Sequence, residues 1–462
     1  MADPYTIRPI SPDEFDAFHA VDQQAFFGQP PGERTRAALV SQLDFGRTLA
    51  AFDDGIPVGN TAAWSLRLCL PGGMAPVAGV TLVAVLPTHR RRGIASSLMR
   101  RQLAGIRERG EAIAALWASE AEIYGRFGYG PATWQANFSF RRGDGVLRPE
   151  VRRGLEAAVA GGIWTGTGTG TGGGGGGGGA RACGGGGLRL RIAEPEMARA
   201  EMCDVYQEAL PGRPGMFARA DIWWDRVLRT KNDSQDDIEP LRCVLAENDS
   251  GTRGYAIYTG KLEWDAETFL ADGSVHVREL IANDPAACAL LWGDLLSRDL
   301  VTEVTASLRP ADDPVVHLLA DPRRARRQVS DGLWVRLTDV PQALGLRRYS
   351  CPVDVTVEVG DALLPENAGV WRLVASGEIG MSGENGVSGE AGVGGFGAVC
   401  EAGGGAADLT LDVAARGAAY LGGTRLGELA GAGLVTEHRP GAVAALSAAL
   451  AWDPAPWCPI IF

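Results

Sequence analysis

Residues Val80 to Trp134 read VTLVAVLPTHRRRGIASSLMRRQLAGIRERGEAIAALWASEAEIYGRFGYGPATW, and the rest of the chain is organised around them. The apolar run Val80-Thr81-Leu82-Val83-Ala84-Val85 predicts a strand that breaks at Pro87, whose nitrogen cannot donate to a ladder. Arg90-Arg91-Arg92 and Gly93 make a basic turn. The following residues predict a helix with Ala95, Leu98, Met99 and Ile106 on one face and Arg100 and Arg107 on the other. A helix start leaves backbone N–H groups without intrahelical partners and carries the positive end of the helix dipole. Gly93 lets backbone and ligand approach closely, and the arginines add charge that a phosphate can use. Read from the residues alone, this is either a pyrophosphate-binding loop or a solvated arginine-rich face. The G-x-x-x-x-G-K-[ST] nucleotide loop and the glycines of a dinucleotide fingerprint are both absent here.

Two motifs narrow the reading. Arg90-x-x-Gly93-x-Ala95, directly behind a Val-x-Val-x-Pro strand end, resembles the acetyl-CoA loop of the GNAT superfamily of N-acetyltransferases. The run Ser119-Glu120-Ala121-Glu122-Ile123-Tyr124-Gly125-Arg126-Phe127-Gly128-Tyr129-Gly130-Pro131-Ala132 is similar to that of the Eis (enhanced intracellular survival) branch, whose members acetylate amines. The resemblance covers nearly the whole chain outside two glycine-rich segments. It implies an α/β (α+β) fold of tandem GNAT-like domains followed by a domain similar to sterol carrier proteins.

Composition sets the outer bounds. At 462 residues the chain is too long for one core, so two to four domains are expected. Apolar content of 45% and charged content of 22% are those of an ordinary globular protein. A net charge of −12 opposes general nucleic-acid binding and suits a cationic substrate, although acidity also serves solubility. The eight cysteines include no C-x-x-C pair and the five histidines show no local metal-ligand spacing, so reduced thiols and no metal are expected. Without a signal segment or an apolar run of about 18 residues, no membrane association and a cytoplasmic location are expected.

Two low-complexity segments divide the chain. Thr165 to Gly187 is a Thr-Gly repeat running into nearly pure glycine, and Ser376 to Gly405 repeats Ser-Gly-Glu with small residues. Both are expected to be flexible insertions without chemistry. The expected division is an N-terminal domain over 1–150, a flexible linker over 151–187, a second domain over 188–329 and a third over 330–462, with the insertion 376–405 inside it. The second domain repeats the order of the first: helix, hairpin, strand, helix. At its corresponding turn stands Asn283-Asp284-Pro285-Ala286 in place of the basic loop, and an acidic residue there repels a pyrophosphate. This predicts a duplicated fold that has lost cofactor binding. In the third domain, Val353, Val355, Val357 and Val359 alternate with polar residues, which predicts a strand with one buried face.

Amine acetylation requires a bound thioester, a deprotonated amine, stabilisation of an oxyanion and a proton for the departing thiolate. An aliphatic ammonium has a pKa near ~10, so a base or a desolvating site must release its lone pair. By the resemblance, Val83, Ala84 and Val85 bond the pantetheine arm and acetyl carbonyl through backbone, with the Val85 N–H as a candidate oxyanion donor. Arg91, Arg92, Gly93, Ile94, Ala95 and Ser96 surround the pyrophosphate, with Ser119 and Glu120 at the next strand end. Tyr124 matches the tyrosine of the family motif. A phenol is protonated at neutral pH and can serve as general acid, though the same residue could simply be a packing aromatic. The resemblance further implies that the C-terminal carboxylate, here that of Phe462, reaches the first domain as general base. Trp452 to Phe462 could span roughly 35 Å, and an ordinary frayed terminus is the alternative. The expected acceptor is a cationic multi-amine molecule of the aminoglycoside kind or a lysine side chain, and the expected assembly is a homohexamer. Phe26, Phe27 and Trp64 are candidates either for lining the acceptor pocket or for the core. A non-catalytic acyl-CoA- or lipid-binding module is the competing reading.

Overall fold

The structure is a computed structural model and describes residues 5–161, 187–228, 239–377 and 395–462. Nearly all of Thr165 to Gly187 and residues 378–394 of the second insertion lie outside the described residues.

The first part of the chain forms β1 (Thr6–Arg8), α1 (Phe15–Phe26), α2 (Glu33–Gln42), β2 (Thr48–Asp53), β3 (Ile56–Leu70), β4 (Gly73–Val85), α3 (Ile94–Glu108), β5 (Ile113–Trp117), α4 (Ala121–Gly125) and β6 (Gly130–Pro131). The second part forms β7 (Trp134–Arg141), α5 (Pro149–Val159), β8 (Arg189–Ala193), α6 (Arg199–Ala209), α7 (Asp221–Leu228), β9 (Arg242–Asn248), β10 (Gly251–Lys261), β11 (Gly273–Ala282), α8 (Pro285–Leu296), β12 (Val301–Pro310), α9 (Val315–Leu318) and β13 (Gln328–Asp331). Then come β14 (Leu333–Leu337), α10 (Val340–Leu346), β15 (Val353–Gly360), β16 (Gly369–Ala375), β17 (Ala398–Ala402), β18 (Leu409–Asp412), α11 (Val413–Ala419), α12 (Leu426–Gly431), β19 (Val435–Glu437) and α13 (Ala442–Leu450).

These strands build a sheet in the order β1-β2-β3-β4-β5-β14-β6, a second in the order β8-β9-β10-β11-β12-β7-β13, and a five-stranded third in the order β17-β16-β15-β18-β19. The first two sheets match position for position, each with one parallel pair in the middle, β4 with β5 and β11 with β12. They also exchange their sixth strands. Residues 134–141 pair inside the second sheet, while Leu333–Leu337 return to the first. A division of the chain at residue 150 therefore cuts across the sheets, because the exchange begins at Trp134. Alternation alone cannot reveal it, since an inserted strand has the same pattern whichever sheet receives it.

The opening strand is longer than Val80–Val85. It starts at Gly73 and pairs with β3 over nearly its whole length. In the third domain, β15 buries Val353, Val355, Val357 and Val359 on one face as the alternation predicted. The insertion is shorter than 376–405, because Ala398–Ala402 form β17 against β16, and Phe396 bridges Tyr349. Those strand residues carry Val399 and Cys400, an apolar content that the neighbouring glycines obscured. Gly130 and Gly417 seat α11 flat on the first sheet. A Cβ at Gly130 would lie 2.0 Å from the Ala414 carbonyl, and one at Gly417 would lie 2.2 Å from the Val335 carbonyl.

Candidate active site

β4 and β5 run side by side only at Ala78–Gly79 and Ala114–Ala115, and beyond these pairs the two strands part. On its other edge β4 carries a bulge. Asn60 pairs with Ala84 and Ala62 with Thr81, so Thr61 stands opposite both Leu82 and Val83. Leu82 takes φ +51°, a left-handed conformation unusual for a branched side chain. Beyond the bulge, the Leu86 N–H donates to the Val58 carbonyl at 2.9 Å. Antiparallel pairs alternate between bonded and non-bonded, so the next pair, Val85 with Gly59, is non-bonded. The Val85 N–H accordingly points away from β3, into the space that β5 has left.

The strand end leads into the basic turn. Arg91 at φ +63° and Gly93 at φ +85° fold the backbone back on itself, and Gly93 is the N-cap of α3. No side chain caps this helix, so its first-turn N–H groups at Ile94, Ala95 and Ser96 are left for a ligand. The Ile94 side chain is buried, which leaves only its backbone facing the loop. Arg91 and Arg92 are exposed and have no hydrogen-bond or ion-pair partner among the described residues. The turn suits the pyrophosphate of a coenzyme A thioester: free donors, a positive helix end and two uncommitted guanidinium groups.

Tyr124 and Phe462 reach the parting strands from opposite faces of the sheet. Tyr124, on α4, is buried in a cluster with Ala78, Val80, Met99, Leu103, Ala114 and Leu116, on the α3 side. Burial pushes its phenol above the ordinary tyrosine value, with Ser119 drawing it down and Glu120 adding to the rise. Ser119 and Glu120 themselves are exposed just past the end of β5. Phe462 is 8% exposed and packs with Leu66, Val77 and Ala115 on the other face. A Cβ on Gly79 would lie 3.0 Å from its ring, so the glycine makes room for the terminus. The Trp117 indole N–H, at the end of β5, donates to the Ile460 carbonyl at 2.8 Å and ties the tail to the parting.

The second domain supplies a wall to the same place. Phe217 meets the Phe462 ring edge-on at 5.2 Å, Trp223 of α7 does so at 6.5 Å, and Trp223 in turn meets Trp64 at 5.8 Å. Sequence reasoning named Trp64 but missed Trp117, Phe217 and Trp223. Trp223 and Trp224 are adjacent, and nothing in the sequence says which one faces the site; Trp224 is the buried one. Phe26 and Phe27 are both exposed at the end of α1, Phe27 to 93%. A cavity of about 670 Å³ lies elsewhere, between the outer face of α3 and residues 46–49, and includes none of the expected site residues.

In the second sheet the equivalent parting is filled by the chain itself. The Trp457 indole N–H donates to the Leu308 carbonyl at 2.7 Å, and Arg219 and Glu279 form a buried pair at 2.9 and 2.5 Å, joined by the Tyr255 hydroxyl at 2.6 Å. At the turn, Asp284 accepts from the Ala287 N–H at 2.8 Å and so caps α8, which satisfies a donor that α3 leaves free. Among the described residues no group of three or more His, Cys, Asp or Glu could hold a metal ion, and no helix is long and apolar enough to cross a membrane.

Comparison with known proteins agrees with this architecture. The family described as "Acetyltransferase (GNAT) domain" matches residues 6–132, a second family of the same description matches 215–337, and "Sterol carrier protein domain" matches 340–459. An uncharacterised N-acetyltransferase of Streptomyces avermitilis is 37% identical over 458 residues, 98% of each chain. N-acetyltransferase Eis of Mycobacterium tuberculosis is 32% identical over 312 residues, 66% of each chain. The crystal structure of Eis1 from Mycobacterium abscessus covers 99% of this chain and 100% of its own at 30% identity, with a TM-score of 0.73. With two GNAT domains, a sterol-carrier-like third and Eis proteins among its relatives over most of its length, the chain belongs to the Eis family of GNAT N-acetyltransferases.

Proposed function

We propose that the protein transfers the acetyl group of acetyl-CoA to a primary amine of a cationic multi-amine small molecule of the aminoglycoside kind, with Tyr124 as general acid and the Phe462 carboxylate as general base. The observation that carries this reading is the seating of the C-terminal residue at the parting of β4 and β5, opposite Tyr124. Acetyl-CoA supplies the activated acyl thioester. Arg91, Arg92 and the first-turn N–H groups of Ile94, Ala95 and Ser96 hold its pyrophosphate, and Val83 and Ala84 align its arm through backbone. The Val85 N–H donates to negative charge as it develops on the acyl oxygen. An α-carboxylate, with a pKa near ~3.5, is anionic at neutral pH; it attracts the ammonium and accepts its proton. Tyr124 stays protonated because burial disfavours its phenolate, and so it can donate to the departing sulfur. Trp64 and Trp223, both half-buried, offer rings to a cationic acceptor, with Phe217 packed behind them, and the net charge of −12 favours its approach. By kinship with Eis proteins, the chain is expected to work in the cytoplasm as a homohexamer.

The test is thiol release from acetyl-CoA with a panel of aminoglycosides, polyamines and a lysine peptide. Wild type should turn over the multi-amines fastest. Tyr124→Phe and a chain lacking Phe462 should each lose roughly 10²-fold or more in kcat. Unchanged rates in both would refute the assigned roles, and a preference for the lysine peptide would make the protein a protein acetyltransferase.

A further inference from the structure

The third domain holds two arginines in its core, and neither has a carboxylate partner among the described residues. Arg347, just after α10, is 1% exposed, and its guanidinium is spent on carbonyls: Arg348 at 3.0 Å, Leu450 at 2.8 Å, and Tyr420. Its charge is screened partly by the Tyr349 ring, 4.9 Å away. Arg416 on α11 is 0% exposed, and Nε, Nη1 and Nη2 all lack a hydrogen-bond partner among the described residues. Gly417 and Ala414, its neighbours on the helix, press against the first sheet. The helical repeat therefore aims Arg416 the other way, into the third domain. Its electrostatic neighbours there are Tyr349, Cys400 of β17, Tyr420 and Arg347.

None of these neighbours supplies what a guanidinium lacks. The Tyr349 and Tyr420 hydroxyls donate to the Leu344 and Ala343 carbonyls of α10, at 2.9 and 2.7 Å, and neither oxygen accepts from Arg416. Arg347 adds a second positive charge. Arginine does not discharge by losing its proton in a protein, so burial leaves it charged and in need of a counter-ion. Five unused N–H donors beside a second cation, with no facing carboxylate among the described residues, make a strong anion receptor.

We propose that Arg416, with Arg347 behind it, binds a monovalent anion inside the third domain. The anion is either an inorganic halide or a small carboxylate; both present one negative charge to the guanidinium fork. The site lies on the far side of α11 from the acetyl-transfer centre and does not depend on the roles assigned there.

The experiment uses the full-length protein in three arms. Crystals soaked in bromide are examined for anomalous scattering at Arg416, and an organic extract of the purified protein is analysed by mass spectrometry for carboxylic acids. Thermal melts of wild type, Arg416→Met and Arg416→Gln are followed against sodium bromide and against sodium acetate. A bromide peak within hydrogen-bond distance of the guanidinium identifies a halide; a stoichiometric carboxylic acid in the extract identifies a carboxylate ligand. In either case Tm of the wild type should rise, on the order of 5 °C at a hundredfold excess over Kd, and the rise should vanish in both variants. Should the variants fail to fold, the bromide map and the extract still decide. Only water at Arg416, or a carboxylate of the chain itself, together with an empty extract, would overturn the proposal.

Discussion

Asp22 sits on α1 one helical turn beyond the buried Phe18, and it has no ion-pair partner among the described residues. Burial raises its carboxyl pKa to about 6. The folded chain therefore keeps this proton where the unfolded chain, with a pKa of ~3.9, has released it. The contribution of Asp22 to stability therefore falls as pH rises from about 4 to about 6 and then levels off. Asp22→Asn removes the penalty: the variant should match wild type near pH 4 and exceed it above pH 6. Discounted for the partial exposure of the side chain, the gain is on the order of 1 kcal/mol, read from urea midpoints at both pH values. The arginines of the basic turn make a different kind of prediction. Arg91 and Arg92 are exposed and make no hydrogen bond or ion pair among the described residues, so alanine at either should leave Tm unchanged and raise KM for acetyl-CoA roughly 3- to 10-fold with little change in kcat.

At the scale of elements, the site depends on β4 being irregular in two places. The bulge at Leu82–Val83 turns the backbone of its outer end, and Gly79 leaves space at the point where β5 departs. Gly79→Ala places a Cβ 2.5 Å from the Leu66 side chain and 3.0 Å from the Phe462 ring. Leu66 can repack at a cost of about 1–3 kcal/mol, whereas the terminus is displaced from the parting. The expected outcome is a loss in kcat out of proportion to the fall in Tm, measured on the same preparation. A loss in activity that only follows the loss of folded protein would show that the seating of Phe462 has no catalytic weight.

On the scale of the whole molecule, buried polar contacts join the first sheet to the third domain. Arg336 on β14 and Asp361 are 0% and 1% exposed at their side chains and meet at 2.8 and 2.7 Å. Asp361 also accepts from Asn367, whose carbonyl oxygen accepts from Arg107 of α3 at 3.1 Å. Asp361→Ala leaves a buried guanidinium without its partner and should cost about 3–5 kcal/mol. The double change Arg336→Met, Asp361→Leu removes both charges and should cost much less, a contrast readable from denaturant midpoints. The tail crosses the same ground: Trp457 in the second domain, Ile460 on Trp117, Phe462 at the first sheet. All three domains are needed to bring the terminus to the site.

The basic turn, the acidic replacement at Asp284 and the alternating valines of β15 were legible in the sequence because each is a local matter of turn residues, charge and side-chain period. Resemblance to a family suggested Tyr124 and Phe462 as a pair, but their spacing of more than three hundred residues carries no local signal. The exchange of β7 and β14 between sheets, the strand β17 beside a glycine-rich run and the wall of Phe217 and Trp223 came only from the tertiary structure. Strand partners are chosen by which edges become available after folding, and aromatic neighbours by which faces those edges bring together. The sequence by itself determined the strand, basic turn and helix of the Val80–Trp134 stretch, because strand period, turn residues and helix face are all local. The packing of the other two domains decided which residues meet it there, because burial and long-range pairing belong to the assembled chain and not to any segment of it.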